Sequence, residues 1–279
     1  MNIVSEIIPL RQHIHNWRVN AERIAFVPTM GNLHEGHLKL VSEAQAHAER
    51  VVVSIFVNPT QFSAGEDFDN YPRTQAADHA KLKAMGVDLV FQPEIDELYA
   101  PDAKTFVSVK DISTLHCGAF RQGHFDGVAT VVCKLFNLVQ PDIALLGLKD
   151  FQQLAIIRLM VRDLLIPVEI IAVDTVRESN GLAMSSRNGY LSAEEKQIAP
   201  VLYQTLCKAK EAVLLGDNYR EIEQQAIMQL QQAGFVVDYF TISCYQDLSL
   251  ANNEDNHLII LTAARLGKTR LIDNIAVQK

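Results

Sequence analysis

Hydrophobic and polar positions in the first part of the chain follow two alternating patterns. Short apolar runs, typical of buried strands, are separated by longer stretches in which apolar residues recur every three or four positions, as in helices. Strands that alternate with helices in this way indicate right-handed βαβ crossovers and a parallel sheet. The predicted strands are residues 23–28, 51–57, 87–91, 105–109, 142–147 and 168–173, and the predicted helices are residues 34–48, 74–85, 123–139 and 150–165.

The pattern changes after about residue 176. Two helices are predicted over residues 192–215 and 218–233, followed closely by strands at residues 235–243, 257–263 and 269–275. This order is typical of a smaller α+β unit with an antiparallel sheet. The polar loop at residues 175–188 is the predicted boundary, so we expect one domain over residues 1–176 and a second over residues 177–279.

Charge and composition narrow the classes of partner. The chain has 279 residues and a formal net charge of −8, whereas non-specific binding to nucleic acid or anionic membranes needs a basic surface. The N-terminus lacks a secretion signal, and charges interrupt the apolar stretch at residues 155–173. The four cysteines form no CxxC pair, so a zinc site is not expected. We expect a soluble cytoplasmic protein that acts on small molecules.

Candidate chemistry begins where the first of these predicted strands ends. The segment from Phe26 to His37 carries an apolar run through a glycine-bearing turn into a helix, with His34 and His37 three positions apart. Residues at that spacing share a helix face, and a helix N-terminus offers unpaired N–H groups and the positive end of the dipole. The segment therefore predicts a polyphosphate site in which protonated histidines offset the charge of leaving pyrophosphate. Ordinary solvated histidines are the alternative, and the spacing suits a metal pair less well.

Polar side chains also follow the strand predicted at residues 51–57. Asn58 and Gln61 emerge there, and Pro59 sets the direction of the backbone. A glutamine can both donate hydrogen bonds to a hydroxy acid and accept them from it. The segment therefore predicts a binding site for a small polar acid, with an ordinary polar turn as the alternative.

The strand predicted at residues 142–147 leads into a third polar segment. Asp150 is a candidate N-cap, and Lys149 places a positive charge beside a helix N-terminus. Gln153 lies three positions after Asp150 on the same helix face. A capping box is the alternative, but it would account for Asp150 and not for Lys149.

A later loop offers a second set of phosphate-binding groups. Residues 184–187 are Met-Ser-Ser-Arg, which supply two hydroxyls, backbone donors and a guanidinium. Such a loop can close over a triphosphate and neutralise it, whereas a serine-rich linker is the alternative. Arg121 precedes the helix predicted at residues 123–139, and it either contributes to the site or caps that helix.

In combination, these segments resemble the pantoate–β-alanine ligase family over nearly the whole chain. HEGH at His34 and MSSR at Met184 are similar to the HIGH and KMSKS signatures of a wider nucleotidyltransferase superfamily, although Arg187 replaces the final lysine. Leu148 stands where the family more often has glutamate, so no carboxylate is expected there. The resembling segments are PTMGNLHEGH from Pro28, FVNPTQF from Phe56, YPRT from Tyr71, GHFDGV from Gly123, GLKDFQQ from Gly147, VRE from Val176, GLAMSSRN from Gly181 and AARLGKTRLIDN from Ala263.

The resemblance implies a fold and a reaction. The fold would be a Rossmann-type N-terminal domain with a parallel sheet, under a smaller α+β C-terminal lid, in a homodimer. The reaction would be the ATP-dependent, AMP-forming condensation of (R)-pantoate with β-alanine, with Mg²⁺ accompanying ATP. It would pass through a pantoyl adenylate and give pantothenate (vitamin B5), a precursor of coenzyme A.

The resemblance also implies roles for particular residues. His37, His34 and Lys149 would be catalytic, Gln61 and Gln153 would hold pantoate, and Gln61 would also face β-alanine. The residues implied to contact ATP are Met30, Gly31, Asn32, Leu33, His34, Glu35, Gly36, His37, Gly147, Leu148, Lys149, Asp150, Val176, Met184, Ser185, Ser186 and Arg187.

Two other functions stay open on the sequence alone. One is a nucleotidyltransferase of the same fold with a different acceptor, which the pair Gln61 and Gln153 argues against because it suits a small polar acid. The other is a nucleotide-binding protein without catalytic activity, which the intact phosphate-binding segments argue against.

Overall fold

The computed structural model describes residues 1–63 and 65–279, and within them it contains nine strands and ten α-helices. The strands are β1 (Asn2–Val4), β2 (Ile24–Thr29), β3 (Arg50–Ile55), β4 (Leu89–Phe91), β5 (Ile143–Gly147), β6 (Glu169–Val173), β7 (Phe235–Cys244), β8 (His257–Leu266) and β9 (Thr269–Gln278). The helices are α1 (Ile7–Val19), α2 (Glu35–His47), α3 (Gln75–Ala84), α4 (Ile95–Leu98), α5 (Cys117–Phe120), α6 (His124–Val139), α7 (Phe151–Asp163), α8 (Ala193–Ile198), α9 (Val201–Leu215) and α10 (Tyr219–Gln232).

The first six strands form one parallel sheet in the order β1-β4-β3-β2-β5-β6. Strands β2 to β5 consist mainly of fully buried apolar residues, as expected for strands covered on both faces. The chain runs outward from β2 to β3 and β4, and later from β5 to β6 on the other side. The direction therefore reverses between β2 and β5, and ligands of parallel sheets bind at the carboxyl ends of strands at such a point.

The last three strands form a separate antiparallel sheet in the order β7-β8-β9. Helices α9 and α10 pack on it around a core of their own. The sheet also touches the N-terminal part, because Leu248, Ile259 and Leu261 belong to the largest core cluster there. The predicted fold class is thus confirmed, while the division at residue 176 stays a prediction. No described helix is both long enough and apolar enough to cross a membrane.

Two sequence predictions were wrong in detail. Residues 105–109 form no strand, and the backbone N–H of Val107 donates instead to Thr130 Oγ1 at 2.8 Å on α6. The helix predicted over residues 192–215 is broken into α8 and α9. Pro200, which has no N–H for the preceding turn, lies at the break.

The strand β1 and the helix α1 had no counterpart in the sequence prediction. Helix α1 buries Leu10, Ile14 and Trp17, which recur at the spacing of one helix face. Their periodicity was the signal that could have predicted this helix.

Candidate active site

The candidate site lies at the carboxyl ends of four neighbouring strands, β3, β2, β5 and β6, where the polar segments emerge. A cavity of about 220 Å³ opens there. Residues from all four polar segments and from Val176 line it together. The sequence-predicted residues in its wall are Met30, His34, Gly36, His37, Gln61, Gly147, Lys149, Asp150, Gln153, Val176, Met184, Ser185, Ser186 and Arg187.

Direct hydrogen bonds join the histidine segment to the serine loop. Ser186 Oγ donates to the carbonyl of Asn32 at 3.1 Å, and Asn32 Nδ2 donates to the carbonyl of Ser186 at 3.4 Å. The two residues are 154 positions apart in sequence. The structure therefore brings into one cavity the two segments that the sequence assigned to phosphate binding.

His34 and His37 lie with their ring centroids 4.1 Å apart. His34 is the N-cap of α2 rather than a residue of its first turn, so the predicted shared helix face is not what pairs them. His34 Nδ1 accepts from the backbone N–H of Gly36 at 3.1 Å, and His37 Nδ1 accepts from the backbone N–H of His34 at 3.3 Å. Because a backbone N–H can only donate, each Nδ1 is unprotonated and each ring carries its proton on Nε2.

The same surroundings keep both rings uncharged. Burial, followed by the positive charge of Lys149, lowers the pKa of His34 to about 4. Burial, followed by the neighbouring His34 and Lys149, lowers the pKa of His37 to about 3. These lowered pKa values favour neutral rings at neutral pH, and the predicted protonation of the histidines beside a leaving pyrophosphate stays a prediction. What the pair offers a ligand is two neutral Nε2–H donors.

Protein groups already occupy most backbone amides of the predicted phosphate turn. Asn32 N and Leu33 N each donate to the buried carboxylate of Asp78 at 2.8 Å. Gly31 N donates to Thr29 Oγ1 at 3.2 Å, and the amides of His34 and Gly36 donate to the two imidazoles. The prediction that this turn presents unpaired N–H groups is thus wrong.

Asp78 went unrecognised in the sequence as a residue of the site. It is 1% exposed, on α3, and besides the two amides it accepts a hydrogen bond from Thr74 Oγ1 at 3.1 Å. Through the amides of Asn32 and Leu33 it holds a turn in which Gly31 and Asn32 have positive φ, at 83° and 49°. A charged residue in the apolar pattern of a helix was the only local signal.

A network of buried polar groups holds Gln61. Its Oε1 accepts from Asn58 Nδ2 at 3.1 Å, and Asn58, 1% exposed, also donates to the carbonyl of Gly127 at 3.1 Å. Gly127 lets α6 approach closely, since a Cβ there would lie 2.3 Å from the carbonyl oxygen of Thr60. The side chain of Gln153 lines the same cavity.

Arg121, whose role the sequence left open, belongs to this supporting network. Its guanidinium makes two hydrogen bonds to Glu66, at 2.6 and 2.7 Å, and lies 2.9 Å from His124 Nε2. His124 Nδ1 in turn lies 2.7 Å from the carbonyl of Gln61. Arg121 therefore acts on the backbone of Gln61 and does not line the cavity.

Two cations face the cavity beyond the histidines. Lys149 Nζ lies 4.0 Å from the carboxylate of Asp150. Asp150 occupies the predicted N-cap position of α7, and its side chain makes no capping hydrogen bond there. Arg187 donates two hydrogen bonds to Asp67, at 2.8 and 3.0 Å, and its guanidinium lies 5.6 Å from the ring centre of Tyr71.

Some predicted residues lie beside the cavity rather than in its wall. Gly31, Asn32 and Leu33 form the turn held by Asp78, Glu35 is exposed at the start of α2, and Leu148 packs against the main core. Their contact with ATP stays a prediction.

The sequence prediction missed an apolar wall. Phe56 and the α6 residues Val128, Val131 and Val132 line the cavity together with its polar groups. Nearly every residue of α6 is buried, so its pattern marks it as a central helix without showing which residues face a ligand.

A larger cavity of about 630 Å³ adjoins the first, under the C-terminal sheet. Lys149, Asp150, Gln153, Ser185 and Arg187 line both cavities. The turn between β8 and β9, with Lys268 and Thr269, forms part of the opposite wall. The site is thus bounded by both sheets.

Comparison with known proteins identifies one family of ligases. The family model for pantoate-beta-alanine ligase matches residues 2–276. A pantothenate synthetase of Shewanella loihica is 52% identical over 281 residues, covering 100% of both chains, and one of Idiomarina loihiensis is 52% identical, covering 99% of this chain and 98% of its own. A solved pantothenate synthetase of Thermus thermophilus matches with a TM-score of 0.94 and 44% identity over 100% of both chains. The Francisella tularensis pantoate-beta-alanine ligase, solved with beta-gamma ATP and beta-alanine, has a TM-score of 0.81 and 33% identity, covering 99% of this chain and 97% of its own.

Proposed function

Since the chain belongs to the pantoate–β-alanine ligase family, we propose that it makes pantothenate in two steps through a pantoyl adenylate, using ATP. The observation that carries the proposal is the single cavity in which two neutral imidazoles, Lys149 and the serine loop meet two glutamines and an apolar wall. One end of this cavity suits a triphosphate, and the other suits a small branched hydroxy acid.

The first step activates the carboxylate of pantoate. A carboxylate oxygen attacks the α-phosphorus of ATP, the bond from that phosphorus to the bridging oxygen breaks, and pyrophosphate leaves. Negative charge grows on the leaving group, where the Nε2–H groups of His34 and His37 and the ammonium of Lys149 can donate hydrogen bonds to it. Ser185, Ser186 and the backbone of their loop would hold the remaining phosphate oxygens.

The pantoate end combines amides with hydrocarbon. We place the hydroxyls of pantoate against Gln61 and Gln153, and its two methyl groups against Phe56 and Val131 in the apolar wall. Because Asn58 fixes the amide of Gln61, binding does not have to order that side chain, which lowers its entropic cost. This rigidity supports a role for Gln61 in positioning the reacting carboxylate.

The second step forms the amide. The amine of β-alanine, in its neutral form, attacks the acyl carbon of the adenylate, and AMP leaves with the bonding electron pair while the nitrogen loses a proton. Gln61 is the residue we assign to β-alanine, on the resemblance to the ligase family and because its side chain lines the cavity. No enzyme nucleophile is needed, so positioning and charge stabilisation supply the catalysis.

Magnesium belongs to the substrate as Mg-ATP. Within residues 1–63 and 65–279, no three His, Cys, Asp or Glu side chains are grouped closely enough to hold a metal ion. Mg²⁺ is usually bound through substrate phosphates and only one or two carboxylates, so the chain fits this mode. Asp150 and Asp174 line the cavity and are the carboxylates we assign to the phosphate-bound ion.

The family also supports a homodimer, a cytoplasmic location and a place in coenzyme A biosynthesis. These proposals rest on the resemblance of the whole chain. None of them enters the chemistry of the cavity.

The proposal is tested by isotope exchange. Purified protein with Mg²⁺, ATP, (R)-pantoate and labelled pyrophosphate should incorporate label into ATP without β-alanine, because the first step is reversible. Omission of pantoate should abolish the exchange, and addition of β-alanine should give pantothenate and AMP in equal amounts. Exchange that does not need pantoate, or amide formation with ADP as product, would refute the adenylate route.

A further inference from the structure

Two neighbouring residues of β9 connect the C-terminal sheet to the loops that carry the proposed ATP contacts. Asn274 is 8% exposed and Asp273 is 3% exposed, although both are polar. Neither lies in the wall of the smaller cavity, and both line the larger cavity that adjoins it. Buried polar side chains need partners, and both residues find them in the N-terminal part of the site and the loop after β6.

Asn274 uses its whole donor capacity on one turn. Its Nδ2 donates to the carbonyl of Leu148 and to the carbonyl of Lys149, each at 2.9 Å. A carboxamide nitrogen has two hydrogens, so each carbonyl receives one. The turn is the short 3₁₀ segment that leaves β5 and carries the Lys149 side chain into the cavity.

Asp273 holds the loop after β6. Its carboxylate accepts two hydrogen bonds from Arg177, at 2.6 and 2.9 Å, and one from the backbone N–H of Asn274 at 2.8 Å. Arg177 also donates to the carbonyl of Gly181 at 3.1 Å, in the loop that leads to Met184. The conformation of β9 at this point is therefore tied to both phosphate-facing loops.

From these contacts we propose that Asn274 is a positioning residue for Lys149. This inference rests on the proposed function, in which the ammonium of Lys149 stabilises the leaving pyrophosphate. Two hydrogen bonds from a buried strand fix the backbone of the residue that carries this ammonium. Removal of both leaves two carbonyls without their donor and lets the turn shift, and a shift of about 1 Å in a catalytic group can cost as much as 10²-fold in rate.

The Gln61 part of the pantoate end does not depend on Asn274, and Gln153 lies four residues beyond Lys149 on α7. Gln61 is held by Asn58, and Asn58 by the carbonyl of Gly127 on α6, without any contribution from β9. A change at Asn274 should therefore lower kcat and leave the KM for pantoate unchanged. A smaller fraction of folded protein would also lower the apparent kcat without changing KM, so a destabilised control variant has to separate the two causes.

The test compares Asn274→Ala with Val277→Ala, a matched control. Val277 lies three residues later on β9 and is fully buried in the C-terminal core. We expect Asn274→Ala to lower kcat of pantoate-dependent exchange by roughly 10- to 100-fold, with the KM for pantoate within about 2-fold of wild type. Val277→Ala should lower the melting temperature and leave kcat near wild type.

A double variant decides whether the effect passes through Lys149. In a Lys149→Ala background, addition of Asn274→Ala should cost almost nothing further, both in exchange rate and in the Kd for a non-hydrolysable ATP analogue. The inference would be overturned if the rate losses of Lys149→Ala and Asn274→Ala multiplied in the double variant. It would also be overturned if Val277→Ala lost as much kcat as Asn274→Ala. Because the Kd is measured without turnover, it tests Asn274 even if pantoate-dependent exchange, and with it the proposed function, fails in the wild-type protein.

Discussion

Two groups of residues at the phosphate end differ in how they provide hydrogen-bond donors. His34 and His37, the neutral side, have pKa values lowered to about 4 and about 3. Lys149 and Arg187, the cationic side, line the same cavity, and Arg187 is paired with Asp67. The contrast shows that packing lowers still further the charge of a residue type that is only partly protonated near neutral pH.

The surroundings of the two histidines lower their pKa values. Burial penalises a charged imidazole, and the nearby lysines add repulsion, so a proton that would sit on the ring at pH 6 in water is excluded. The backbone amides of His34 and Gly36 then fix the tautomer. A neutral imidazole can donate to phosphate without attracting it over a distance, whereas Lys149 can do both.

Removal of the charge on the cationic side should have the largest effect. Lys149→Met keeps most of the side-chain volume and loses the ammonium, and we expect exchange to fall by about 10³-fold because the neutral histidines cannot replace the charge. Pantoate-dependent pyrophosphate exchange measures this. Lys196→Met, at an exposed lysine on α8, is the control and should behave as wild type. A loss below tenfold would mean that the two sides do not differ as described.

Removal of a donor from the neutral side should have the next largest effect. His37→Ala should lower exchange by about 10²-fold, and His37→Gln should recover part of that loss because an amide N–H can stand in for Nε2–H.

The pH profile sharpens this second experiment. With a pKa near 3, His37 stays neutral from pH 5 to pH 9. The wild-type exchange rate should therefore not rise as the pH is lowered over this range, and its pH profile should have the same shape as that of His37→Gln. Such a rise, with a midpoint near pH 6.5 and lost in the variant, would instead identify a protonated imidazole as the working form.

The smallest effect concerns stability in acid. A histidine whose pKa is lower in the folded than in the unfolded state binds fewer protons when folded, so the free energy of unfolding decreases as pH falls below about 6.5 and continues to decrease towards the folded pKa values. His37→Asn removes one such group and should lose less thermal stability than wild type between pH 7.5 and pH 5. Melting curves followed by circular dichroism measure this, with the exposed His15→Asn as control. Equal losses in all three proteins would contradict the lowered pKa.

Much of the fold followed from local patterns, and so did the location of the site. The apolar run of β3 and the periodic α6 predicted their own elements, and their alternation predicted a parallel sheet with polar segments at its carboxyl edge. Residues 105–109 show where local pattern fails. They have a strand-like composition, but the described structure pairs them with no strand, because the Thr130 hydroxyl on α6 takes the N–H of Val107.

The supporting residues of the site were harder to predict. Asp78 and Asn274 act on segments 45 and 125 positions away, at Leu33 and Lys149, and no local spacing indicates such pairs. Arg121 was noticed, but its partner Glu66 and its route through His124 to Gln61 depend on how α6 packs against the loop after β3.

The sequence by itself determined most of the central strands and helices and which polar segments stand at the ends of strands, because hydrophobic periodicity and turn residues act over a few positions. Only the tertiary structure decided that the histidines are neutral, which nitrogen carries their proton, and that the amides of Asn32 and Leu33 are already occupied. Those properties arise from burial and from partners that only the folded chain brings near. Charge state and free hydrogen-bonding capacity therefore depend on the three-dimensional arrangement of the whole chain.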